Sequence, residues 1–227
     1  MVNEKIYTIK ITEALNDKCS CPLCTIERQT QKDEIERILG AAMMEPDVRI
    51  KTNEMGFCER HLENLLKESN RLSLALMLQT HITEFSKGLY ANALLQSSPD
   101  PKKQVSLLTK NKQSCYLCDR VNTFMAATRS AFLYMYKTDP EMDSKIKEQP
   151  YICLKHMRQL FEEGQKALPK DLYKKFCKTV NELNLAYTQE LLSDIDWFCK
   201  KFDYRYRNED WKNSKDSIER AVNFIKE

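Results

Sequence analysis

Apolar residues recur along most of this chain at intervals of three and four rather than two. Ile35, Ile38, Leu39 and Ala42 fall on one stripe, the spacing of a helix with a single buried face. Leu62, Leu65, Leu66, Leu72, Leu76, Ile82, Phe85 and Leu89 hold roughly the same phase and predict one long helix. Met157, Leu160 and Phe161 begin another stripe, which Pro169 should interrupt because proline lacks the N–H that a helix interior needs. Beyond it, residues 171–202 present Leu172, Phe176, Val180, Leu183, Tyr187, Leu191, Ile195 and Phe198 along one face. Helices are also predicted over about Cys24–Met43 and Cys118–Lys137, with a short one in the tail from Ser214. Only residues 5–11, where Tyr7, Ile9 and Ile11 alternate, fit an extended segment. The pattern predicts an all-α helix bundle with negligible strand.

The same elements occur twice. Cys21-Pro22-Leu23-Cys24 returns as Cys115-Tyr116-Leu117-Cys118, and Glu45-Pro46 as Asp139-Pro140, both 94 residues on. Gly56-Phe57-Cys58-Glu59-Arg60-His61 returns as Tyr151-Ile152-Cys153-Leu154-Lys155-His156, 95 residues on. Three landmarks in one order at a nearly constant offset indicate a duplication. The linker signal Ser97-Ser98-Pro99-Asp100-Pro101 places the boundary between units of residues 1–98 and 99–227, expected to pack as one body.

Composition narrows the function classes. Four glycines in 227 residues exclude architectures built on many tight turns. A net charge of +3 gives no electrostatic case for a nucleic-acid or membrane partner. No apolar run is long enough to be a signal peptide or a membrane span, so a cytoplasmic location is expected. In that reducing compartment the nine cysteines favour metal over disulfides.

The repeated half-motifs supply the ligands. C-x-x-C folds as a knuckle that aims both sulfurs at one point, and C-x-x-H at a helix start places its two side chains on one face. The positive helix end also favours thiolate at Cys58 and Cys153. Pairing within each repeat gives one site of Cys21, Cys24, Cys58 and His61 and another of Cys115, Cys118, Cys153 and His156. Pairing across the repeats stays open, since loop-closure entropy favours the local choice only mildly. Two structural zinc ions are expected, with an iron–sulfur cluster as the alternative that a thiolate-rich set leaves open.

Other residues invite weaker readings. Cys19 precedes the first knuckle and has no counterpart at Gln113; it motivates a redox or metal-responsive switch. Cys177, Cys199 and His81 read as packing residues. Lys201-Phe202-Asp203-Tyr204-Arg205-Tyr206-Arg207 interleaves aromatic and basic side chains as single-strand nucleic-acid binders do, but neighbouring acids dilute the charge.

Taken in order, Tyr7-x-Ile9 ahead of Glu13-Ala14, Cys21-Pro22-Leu23-Cys24, Glu45-Pro46-x-Val48-Arg49, Gly56-Phe57-Cys58-x-x-His61 and Phe202-Asp203-Tyr204-Arg205 resemble an uncharacterised family of clostridial and archaeal proteins. The resemblance covers nearly the whole chain and implies a shared metal-binding core, without supplying an activity, substrate or partner. The second repeat lacks the Pro of C-P-x-C and the Gly before Phe.

The function expected is a non-enzymatic binding or adaptor scaffold with a protein partner. No H-E-x-x-H, phosphate loop or nucleophile elbow occurs. Cys-Pro-Leu-Cys lacks the strand–helix context of a thioredoxin-type oxidoreductase. A catalytic zinc would need one ligand replaced by water.

Overall fold

A computed structural model describes residues 2–18, 20–90 and 100–226. Every regular element among them is helical. Cys19 and residues 91–99, which hold most of the expected linker and its 98/99 boundary, lie outside the described residues. Backbone contacts gather the chain into two compact units, one of residues 29–124 and one that joins 1–28 to 125–227. The units do not coincide with the two expected sequence repeats: the middle of the chain forms one and its two ends together form the other.

The central unit holds the later turns of α2 (Pro22–Leu39), a 3-10 turn (Ala41–Met44), α3 (Pro46–Met55), α4 (Glu59–Lys67), α5 (Arg71–Leu89), α6 (Pro101–Gln113) and the start of α7 (Tyr116–Thr138). Its core gathers Ile35, Ile38, Leu39, Ala42, Val48, Leu65, Leu74, Met77 and Leu117. The long helix expected over 62–89 is two helices, separated at residues 68–70. Asn70 makes the break. Its Oδ1 accepts the Ser73 N–H at 3.2 Å, capping α5, while its Nδ2 donates to the Leu39 carbonyl at 2.6 Å. The break resets the helical phase, so Leu66, Leu72 and Ile82 are exposed and Leu74 and Met77 are buried instead. His81 donates Nδ1–H to the Asn53 carbonyl at 2.9 Å and stacks on Phe85, as its packing role required.

The terminal unit holds α1 (Val2–Asp17), the first turns of α2, the rest of α7, α8 (Met142–Lys147), α9 (Leu154–Ala167), α10 (Lys170–Lys200) and α11 (Ser217–Ile225). The extended segment expected at residues 5–11 is helix instead. Ile11, Ala14 and Leu15 are buried together, a three-and-four spacing that outweighs the short alternation before it. Pro169 separates α9 from α10 as expected, and α10 packs against α8, α9 and α11. Phe176, Val180, Tyr187 and Leu191 form its buried face, with Tyr151 stacked on Tyr187 at 4.4 Å and Phe224 edge-on to Tyr151. Asp143 ties three of these helices. It accepts from Tyr136 Oη and Thr179 Oγ1, each at 2.8 Å, and pairs with Lys147 at 2.8 Å.

After α10 the chain turns on a buried lysine. Lys201 Nζ donates to the carbonyls of Tyr206 at 2.7 Å and Arg207 at 3.0 Å, and to that of Glu209. Trp197 Nε1 donates to the Asp210 carbonyl. These bonds hold the segment singled out in the sequence, in which Asp203 pairs with Arg205 while Phe202 and Tyr204 are exposed. No helix among the described residues is long and apolar enough to cross a membrane.

Candidate metal centres

In the central unit, α3 starts on Pro46, whose missing N–H is not needed at the first turn. It ends on Gly56 at φ 59°, ψ −154°, a conformation nearly confined to glycine. That turn exposes the Gly56 carbonyl to the Tyr116 N–H at 3.0 Å, and Ser114 Oγ donates to the Met55 carbonyl at 2.8 Å. These bonds bring the end of α3 beside the start of α7, and with it Cys58 beside Cys115. Cys58 is the N-cap of α4 with His61 one turn in, while Cys115 precedes α7 and Cys118 lies in its first turn. His61 Nδ1 lies 3.3 Å from Cys58 Sγ, 3.2 Å from Cys115 Sγ and 3.4 Å from Cys118 Sγ. Cys58 and Cys118 sulfurs are 3.8 Å apart.

The terminal unit repeats the arrangement with different supports. Cys21 precedes α2 and Cys24 lies in its first turn, whereas Cys153 is the N-cap of α9 with His156 one turn in. Asn184 clamps the residue before Cys153, accepting from the Ile152 N–H at 3.0 Å and donating to its carbonyl at 2.8 Å. Gln149 Nε2 donates to the Leu15 carbonyl at 2.8 Å, joining α1 to the approach to α9. His156 Nδ1 lies 3.2 Å from Cys153 Sγ, 3.3 Å from Cys24 Sγ and 3.6 Å from Cys21 Sγ. Cys24 and Cys153 sulfurs are 3.3 Å apart.

The structure therefore brings the eight residues together as two groups of four, but corrects the pairing expected within each repeat. Cys21 and Cys24 join Cys153 and His156, and Cys58 and His61 join Cys115 and Cys118. The entropy that favoured local pairing is small. Closing a separation of 129 residues between Cys24 and Cys153, rather than 34 between Cys24 and Cys58, costs about 1 kcal/mol more. The bonds of Gly56, Asn184 and Gln149 outweigh it.

In each group all four donor atoms lie within 4.8 Å of one another. An ion with sulfur at ~2.3 Å and nitrogen at ~2.0 Å in a tetrahedron has S···S edges of ~3.8 Å and S···N edges of ~3.5 Å. Several of the separations, from 3.2 to 3.8 Å, lie near these edges, and each group is compact enough to hold a metal ion. An iron–sulfur cluster interposes inorganic sulfide between ligands and iron atoms and needs wider spacing.

Proton affinities within the groups diverge. Hydrogen bonds from Cys21 and Cys24 pull Cys153 far below the ordinary thiol value. Burial pushes Cys21 well up, and the hydrogen bond with Cys153 is the largest influence raising Cys24 to about 12. In the central group burial opposes ionisation of Cys58, but the His61 N–H and hydrogen bonds with Cys115 and Cys118 lower it overall. Burial and the neighbouring Cys115 raise Cys118 to about 12. Burial, then the charge of Arg60, lowers His61 to about 4, so its imidazole stays neutral and able to ligate. A thiolate favoured at Cys153 beside raised Cys21 and Cys24, and one favoured at Cys58 beside raised Cys118, are donors from whose neighbours a cation would displace the protons.

Glu27 escaped the sequence reading. It lies three residues beyond Cys24, one helical turn along α2, and its Oε2 is 3.5 Å from His156 Nε2. That i+3 spacing was the available signal. Cys177 is half-buried and Cys199 exposed, neither in a metal group.

A family model described as a family of unknown function, DUF6062, matches residues 2–227. An uncharacterised 23.9 kDa protein encoded in the xynA 3′ region of Caldicellulosiruptor sp. strain Rt8B.4 is 22% identical over 185 residues, 82% of this chain and 83% of that relative. No solved structure matches.

Proposed function

The chain belongs to this family of unknown function, DUF6062, and we propose that it is a zinc-binding helical scaffold. One structural zinc ion sits in each compact unit, and the helical surface binds a protein partner without catalysis. The observation that carries this reading is the pair of donor sets, each three sulfurs and one imidazole nitrogen gathered within 4.8 Å of one another, compact enough for one tetrahedral ion. Such a set is a common structural zinc site, and with all four positions filled by protein it leaves none for substrate water. Neutral imidazole and thiolate favour zinc over the harder magnesium and calcium ions. A reducing cytoplasm suits thiols that hold metal rather than forming disulfides.

A second reading has one observation of its own. Cys24 and Cys153 sulfurs, 3.3 Å apart, are placed to form a disulfide if peroxide accepts their two electrons, releasing the metal and making the terminal unit a redox switch.

Elemental analysis of the purified full chain tests the scaffold reading. Two zinc equivalents per chain support it. Iron, or protein that takes up no zinc after reduction, overturns it.

A further inference from the structure

We propose that Glu27 makes the terminal-unit site the slow-exchanging one of the two, by holding His156 with Nδ1 turned to the metal. The inference rests on the zinc reading above and adds an inequality that the matching ligand sets do not suggest.

The two histidines use the same atom and differ behind it. His156 faces three sulfurs with Nδ1, which leaves Nε2 on the far side of the ring, 3.5 Å from Glu27 Oε2. That is too long for an ordinary hydrogen bond, but close enough for the carboxylate charge to act on an imidazole N–H in a partly shielded setting. Glu27 is itself fixed, since Lys155 Nζ reaches its two oxygens at 2.6 and 2.9 Å. Both partners are only about a quarter exposed, at 26% and 25%, so the pair is partly shielded from solvent. An acceptor at Nε2 keeps the proton there, leaves Nδ1 with its lone pair free for the ion, and orients the ring.

His61 lacks this arrangement. It is fully buried, and its Nε2 has no hydrogen-bond partner among the described residues. When Nδ1 binds an ion, the proton must sit on Nε2, where it has no acceptor, and a buried unsatisfied donor is unfavourable. The position corresponding to Glu27, three residues after Cys118, is Val121, which cannot accept a hydrogen bond. The two sites thus share their ligands and differ in the groups that orient them.

Zinc release from the full chain to a coloured chelator, 4-(2-pyridylazo)resorcinol, tests this. Wild-type protein should release two equivalents in two phases, the slower one lost in Cys21→Ser. Glu27→Ala should speed the slow phase about 10- to 100-fold, the range found for such supporting groups, and leave the fast phase alone. Glu27→Gln retains an accepting oxygen and should recover part of the delay. The His156 Nε2–H resonance, followed by NMR, should lie upfield in Glu27→Ala of its position in wild type. Release in one phase, or a slow phase unchanged in Glu27→Ala, overturns the inference while two zinc equivalents still uphold the scaffold reading. Fewer than two equivalents in the wild type overturns both.

Discussion

The Tyr116 N–H donates to the Gly56 carbonyl at 3.0 Å. Through that bond the start of the second knuckle, rather than of the first, lies beside Cys58. One backbone hydrogen bond is worth about 1 kcal/mol net, but in a buried turn it sets which cysteines come together.

Double substitutions read out this pairing. Cys58→Ser with Cys118→Ser should lose one metal equivalent and retain the other, because both residues serve the central group. Cys21→Ser with Cys118→Ser should lose both. Pairing within each repeat requires the two Cys58 and Cys118 changes to strike different sites, so complete metal loss in the first double variant would restore it. Elemental analysis distinguishes the cases.

Gly56→Ala should destabilise the protein by about 2 kcal/mol, because φ 59° with ψ −154° is a conformation that side chains disfavour. The loss should fall on the central site. Urea unfolding measures the first effect, and chelator release with Cys21→Ser present in both proteins isolates the second.

Asn70 caps α5 and anchors the end of α2 with one side chain. Asn70→Ala should cost about 1–2 kcal/mol. Asn70→Asp retains the capping oxygen but cannot donate to the Leu39 carbonyl, so it should recover only part. Thermal melts of the three proteins at equal metal loading give the comparison.

Asp143 supplies a pH dependence. Burial opposes its ionisation, but Lys147, Thr179 and Tyr136 outweigh that and lower its carboxyl to about 2, against 3.8 for an ordinary aspartate. A carboxyl depressed on folding adds stability that is complete above the unfolded value and disappears as pH falls through the folded one. Asp143→Asn should therefore be about 1 kcal/mol less stable than wild type at pH 6, after allowing for solvent screening of the lysine contribution. The gap should close between about pH 4 and pH 2. Urea midpoints at pH 6, 4 and 2.5 follow it; metal loss in acid affects both proteins and cancels in the difference.

The sequence shows what lies on one helix and hides what lies between helices. The face of α10 was legible because Phe176, Val180, Tyr187 and Leu191 need only their own spacing to be recognised. The break at Asn70 was not, since Leu65, Leu66 and Leu72 mimic a continuous stripe and the deciding bond reaches back to Leu39. Tyr7, Ile9 and Ile11 suggested a strand for the opposite reason: three alternating residues precede the burial of Ile11, Ala14 and Leu15 on one helical face. The eight residues that gather into the two groups could be named from their half-motifs. How they pair depended on Gly56, Gln149 and Asn184, whose partners lie far along the chain.

The interleaving of the units bears on how the protein is made. Synthesis runs from the amino terminus, and domains generally fold as they emerge. Cys21 and Cys24 are the first of the eight grouped residues to leave the ribosome, yet their partners at 153 and 156 follow about 130 residues later, after the whole of 29–124. The central group is complete once Cys118 has emerged. The knuckle made first is thus the last to be closed, and until then it is an open pair of thiols on a growing chain.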